Sequence, residues 1–79
     1  MSKVLWSQTN VYHLHRMANH VRADTGKRPK LSDEQAVIQL ILDCANSENA
    51  HIREQFSNFT DSLADEQRQV LSNLGVELV

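Results

Sequence analysis

The four histidines and the single cysteine of this sequence, His13, His15, His20, His51 and Cys44, are side chains that can ligate metals or act as nucleophiles. Their spacing argues against both roles. His13 and His15 are two residues apart, which on a helix turns them roughly 200° away from each other, and His13 and His20 lie about 10 Å apart along the axis. No pair stands at i and i+4, the spacing at which one helix face presents two imidazoles to zinc. Cys44 falls in "AVIQLILDCA", the most apolar stretch of the chain, where desolvation favours the inert thiol over the thiolate. The two glycines read as helix stops rather than a phosphate cradle, and the carboxylates are scattered. No catalytic residue, cofactor site or metal centre is expected, and the chain reads as non-enzymatic.

The cations carry a sharper signal. The net charge of 79 residues is only −2, yet it divides unevenly at Leu31. Lys3, Arg16, Arg22, Lys27, Arg28 and Lys30 stand against Asp24 alone in the first part, net +5, whereas nine carboxylates stand against Arg53 and Arg68 in the remainder, net −7. Opposed charge in two halves points to a basic contact surface and an acidic one. Within the basic half, Arg22, Lys27, Arg28 and Lys30 surround a connector that abuts the start of a helix, where unpaired backbone N–H groups attract phosphate. These four are the candidate nucleic-acid contacts. Against that role, Asp33 and Glu34 occupy the same helix start and repel a phosphate, so the connector is expected to serve mainly as a hinge.

The elements that must position these residues are helices. Thr9 or Asn10 is expected to cap a helix running to Asp24, with Val11, Leu14, Met17, Ala18 and Val21 on one face. Gly26 stops it and Pro29 keeps Arg28 extended. Ser32 and Gln35 have the spacing of a capping box for a second helix, Ser32 to Ala45, with Leu31 as a staple against Ala36. Its stripe of Val37, Leu40, Ile41 and Cys44 is widened by Ile38, Leu42 and Ala45, so it is expected at the centre of the fold. A third helix over Ser47 to Phe59 is capped by Asn46 or Ser47 and buries Ile52, Phe56 and Phe59. A fourth covers Asp61 to Leu74, closed by Gly75 with Val76 folding back on Leu71. Leu31–Gln35 and Leu63–Gln67 match in four of five positions, which is read as two similar helix openings rather than a repeat array.

The result is one all-α domain over residues 1–79, a compact bundle of about four short helices. Residues 1–8 and 76–79 are tails, in which "KVLW" and "VELV" have the composition to pair as a small ribbon. The order of a short N-terminal stretch, a helix, a basic turn and a capped helix over Ser2 to Asn46 resembles ribbon-helix-helix repressors, a likeness that implies DNA binding. "KVLWSQ" lacks the alternation of a DNA-reading strand, and no family is assigned.

With a lone cysteine and a small core, the chain has no disulfide to supplement its packing, and a partner subunit is the expected source of further burial. Leu5, Trp6, Leu78 and Val79 are the candidate interface residues. The expected role is a regulatory module that binds another protein, as a homodimer in the cytoplasm. The alternative is a small DNA-binding regulator using the basic half. The longest apolar run, Val37 to Ala45, includes Gln39 and Asp43 and is too short to span a bilayer, so no membrane association is expected.

Overall fold

The computed structural model describes residues 5–76 and 78, which form four helices and, among those residues, no strand. Helix α1 covers Gln8–Thr25, α2 Glu34–Ala45, α3 Ala50–Asp61 and α4 Asp65–Asn73. At 1.5 Å per residue α1 is about 27 Å long, close to the 31 Å longest dimension of the molecule. One helix therefore forms a full side of the fold.

Each boundary has a local chemical cause, and several differ from the sequence expectation by a few residues. Helix α1 is opened by Ser7, not Thr9 or Asn10: the Asn10 N–H donates to Ser7 Oγ at 3.1 Å and the Ser7 N–H donates back to Asn10 Oδ1 at 2.9 Å. It ends at Gly26, whose φ of 81° is the left-handed conformation that removes the chain from the helix, with its N–H on the Arg22 carbonyl at 2.8 Å. Helix α2 is capped by Asp33 rather than Ser32. A turn from the Asp33 N–H to the Lys30 carbonyl delays the helix by one residue. The Asp33 carboxylate then accepts the Gln35 and Ala36 N–H groups at 3.0 and 3.4 Å, a charge-assisted arrangement that suits the helix dipole better than a hydroxyl.

The segment "NSEN" distributes three tasks among its residues. Asn46 closes α2 by donating to the Leu42 carbonyl, and Ser47 holds the turn by accepting the Asn49 N–H. Asn49, not Asn46 or Ser47, opens α3 by accepting the His51 and Ile52 N–H groups. Helix α4 starts at Asp65 instead of Asp61, after a break that keeps Leu63 buried. The Gln67 side chain bonds the Ala64 N–H at 2.8 Å, so "LADEQ" realises the glutamine half of a capping box that "LSDEQ" does not. At its far end α4 closes as expected: Val76 N–H reaches the Leu71 carbonyl and Gly75 N–H the Ser72 carbonyl, both at 3.0 Å, and Val76 is buried.

The core joins Leu14, Met17 and Ala18 of α1, Val37, Leu40, Ile41 and Cys44 of α2, Ile52 and Phe59 of α3, Leu63, Leu71 of α4 and Val76. Helices α1 and α3 make the closest pair and α2 packs across both. Helix α2 is thus not surrounded, and Ile38, Leu42 and Ala45 on its flank are half-buried. Val11 is exposed because the buried side of the first turn of α1 belongs to Asn10, 100° round the helix. Phe56 is half-buried, while Gln55 and Thr60 of the same helix are buried.

Asn10 makes all four side-chain hydrogen bonds available to an amide. Its Nδ2 donates to the Ser62 carbonyl and Oγ at 3.1 and 2.9 Å, and its Oδ1 accepts from the Ser7 N–H and from Gln67 Nε2 at 2.6 Å. Gln67 also donates to the Leu5 carbonyl. This network ties the N-terminal segment and α1 to the junction between α3 and α4.

The termini are accounted for in part. Trp6 packs its ring against Phe59, centroids 5.8 Å apart, and Leu78 is half-buried against the core. Leu5 remains 82% exposed. Leu5, Trp6, Val76 and Leu78 form no ribbon, while Lys3, Val4, Glu77 and Val79 lie outside the described residues. Among the described residues, no helix is long and apolar enough to cross a membrane.

A candidate interaction surface on α1

The buried arc of α1, centred on Asn10, Leu14 and Met17, leaves Tyr12, His15, Arg16, Asn19 and Arg22 on the outward side at spacings of three, one, three and three. All five are exposed. The only carboxylate of α1, Asp24, lies off this stripe, beside Asn49 and His51. A positive, aromatic-bearing ridge therefore runs along one side of the molecule.

Arg16 and Tyr12 are held together. The guanidinium carbon stands 5.7 Å from the Tyr12 ring centre, its Nη1 donates to the Tyr12 hydroxyl at 3.2 Å, and its Nε donates to Oε1 of buried Gln55 at 2.9 Å. The Gln55 contact fixes the arginine at the seam between α1 and α3. Tyr12 is itself 56% exposed, an amphipathic ring with one face toward a cation and much of its surface in water.

Of the four predicted phosphate contacts, the structure brings Arg28 and Arg22 to this ridge and leaves Lys27 and Lys30 in the connector. After Gly26 the chain bends back, shaped by Thr25 Oγ1, which donates to the Val21 carbonyl at 2.9 Å and accepts the Lys27 N–H at 3.3 Å. Arg28 then lies along α1, with Nη2 2.8 Å from His15 Nδ1 and Nε donating to Asn19 Oδ1 at 3.3 Å. Because arginine has donors only, His15 Nδ1 is the acceptor in this contact. Lys27 and Lys30 are exposed, with no side-chain partner among the described residues. The N–H groups at the start of α2 are taken by Asp33. The connector is built as a bend and a helix start.

Burial first, and then the neighbouring Asp43 carboxylate, pushes the Cys44 thiol up to about 12, which keeps it protonated and unreactive at neutral pH. His20, Ala23, Asp24, Asn49 and His51 line a depression of about 360 Å³ between α1 and α3. Among the described residues, however, no three His, Cys, Asp or Glu side chains converge as metal ligands. A second groove, about 810 Å³, runs along α4 beside Val76 and Leu78, away from the α1 ridge. Arg68 in its wall donates to the Thr60 carbonyl.

Tyr12 and Asn19 are not among the contacts expected from the sequence. Their i, i+3, i+4, i+7 spacing with His15 and Arg16 was the available signal, a second periodic face opposite the apolar one. The half-buried His13, whose Nδ1 has no hydrogen-bond partner among the described residues, carries no such signal. No family model matches the chain, and neither a curated protein nor a solved structure shows significant similarity to it.

Proposed function

We propose that this protein is a non-catalytic interaction module whose contact surface is the outward face of α1, and that its partner is a protein presenting acidic groups. The observation that carries the reading is the exposed ridge of Tyr12, His15, Arg16, Asn19 and Arg22 with Arg28 laid upon it, a face without a carboxylate. Tyrosine and arginine are among the residue types that most often anchor protein interfaces: tyrosine buries a large amphipathic ring with only two torsions to fix, and Arg16 is already held by Gln55 and Tyr12. Val11, exposed beside Tyr12, extends the apolar part.

Protein is favoured over nucleic acid by two features of the same face. Arg16 and Arg28 are engaged by Gln55, Tyr12, His15 and Asn19 rather than extended toward solvent, so fewer cations are free to neutralise phosphates. The chain is also net negative, with Glu54 and Asp61 exposed on the adjacent α3. A continuous polyanion meets repulsion there, whereas a protein surface of mixed charge does not.

Replacing Tyr12 with a photo-crosslinking phenylalanine analogue in the native host tests the reading. Adducts of discrete mass at position 12, absent when the same analogue replaces Ser72 on α4, are expected. Nuclease-sensitive adducts would transfer the assignment to nucleic acid, and no adduct would remove α1 as a contact face.

A further inference from the structure

Helices α1 and α3 lie side by side and antiparallel. Asn10 near the start of α1 bonds Ser62 after the end of α3, Arg16 bonds Gln55 in mid-helix, and His20, Ala23 and Asp24 share a depression with Asn49 and His51. Residues at the same level therefore pair in opposite order, position 10 with 62, 16 with 55, and the low twenties with the region around 50. The outward flanks of the two helices form one surface with two rows of opposite sign. The α1 row carries Arg16 and Arg22, with Arg28 laid on it through His15 and Asn19, and the α3 side carries Glu48, just before the helix, followed by Glu54 and Asp61, all exposed. Among the described residues, no hydrogen bond or ion pair engages the carboxylates of Glu48, Glu54 and Asp61 or the guanidinium of Arg22.

Such a surface is complementary to itself. A twofold axis parallel to the helices, lying in the plane of contact, sets α1 of each copy over α3 of the other at the same level. Arg16 then faces Glu54 of the partner subunit and Arg22 faces the partner subunit's Glu48. A twofold axis across the helices sets cations over cations instead. Resting on the reading of α1 as the contact face, we propose that the acidic partner is a second copy of this chain, docked through a reciprocal α1-on-α3 interface. Each contact occurs twice, as twofold symmetry requires. Charge supplies register and orientation here, Tyr12 supplies apolar contact, and the pairs remain accessible to salt.

Sedimentation equilibrium of the full chain provides the test. The wild type is expected to dimerise at high micromolar concentration in about 50 mM salt, with the dissociation constant rising roughly tenfold or more by about 500 mM as exposed pairs are screened. Arg22→Glu and Glu48→Arg are each expected to sediment as monomers under the same conditions. Neither position contributes to the core, so unchanged circular dichroism is expected to verify both folds. An equimolar mixture should restore the dimer, because one variant is then acidic at both positions and the other basic at both. A wild type that stays monomeric overturns the second copy as partner and leaves α1 to be judged by the Tyr12 adducts. A dimer untouched by either variant, or monomers that mixing fails to pair, places self-association elsewhere and overturns the proposed interface.

Discussion

Replacing Asn10 tests whether a buried polar hub, rather than a helix cap alone, joins the two ends of the chain. Asn10 is fully buried and makes four side-chain hydrogen bonds, one each with Ser7 and Gln67 and two with Ser62. A net contribution of about 1 kcal/mol per bond sets an upper range near 4 kcal/mol. Two partners retain other bonds when the amide is removed: Gln67 Nε2 keeps the Leu5 carbonyl, and Ser62 Oγ keeps its donation to Phe59. Asn10→Ala should therefore cost about 2–3 kcal/mol, including the void it leaves. With a urea dependence of about 1 kcal/mol per molar for so small a chain, the denaturation midpoint should fall by roughly 2–3 M.

Asn10→Asp separates the two roles. As the third residue of α1, an aspartate is favoured by the helix dipole, so a mere capping role predicts neutrality or a gain. In the hub, the second carboxylate oxygen replaces the Nδ2 donor opposite the Ser62 carbonyl and brings a charge into a buried site, so the loss should exceed that of alanine. Equilibrium urea unfolding followed by circular dichroism reads both variants. An Asn10→Asp protein as stable as the wild type would refute the hub.

Gly75→Ala should lower stability by about 1 kcal/mol. The added methyl group meets nothing within 4 Å, so the loss is that of a left-handed φ of 90° alone, and Gly75→Asn should lose less in the same thermal melt. The Cys44 thiol, raised from 9.0 to about 12 by burial and then by Asp43, should react with a thiol reagent at pH 8 only at the rate of unfolding, and immediately in denaturant. Because the folded state holds this proton more tightly, the Cys44 contribution to stability is full below pH 9 and declines as the pH rises from about 9 toward 12. Comparing urea midpoints of the wild type and Cys44→Ala across that range isolates the thiol, and parallel curves would contradict the assignment.

The sequence alone determined that the chain is helical, how many helices it forms and most of the apolar positions that fill the core, Val11 and Phe56 being the exceptions. Val37, Leu40, Ile41 and Cys44 recur at helical spacing, and Gly26 and Gly75 stop their helices because a left-handed φ suits glycine better than any residue with a side chain. The return of Val76 onto Leu71 was legible for the same reason, since it follows from bonds made within a few residues. Cap identity was less legible: Ser32, Asp33, Asn46, Ser47 and Asn49 are all competent caps, and the winner depends on turns such as Lys30 to Asp33 and on where the neighbouring helix must end.

Only the tertiary structure decided the arrangement of α1 and α3. Asn10 meets Ser62 across 52 positions and Arg16 meets Gln55 across 39, contacts that no local period encodes. The same packing resolves the opposed charges of the two halves into neighbouring rows, because a basic helix lies beside one whose outward side is acidic. Arg28 belongs to the α1 ridge for a similar reason. Its place in the sequence points toward α2, but the bend at Thr25 and Gly26 returns it to His15, thirteen residues earlier, where His15 Nδ1 and the Asn19 side-chain oxygen accept its hydrogen bonds.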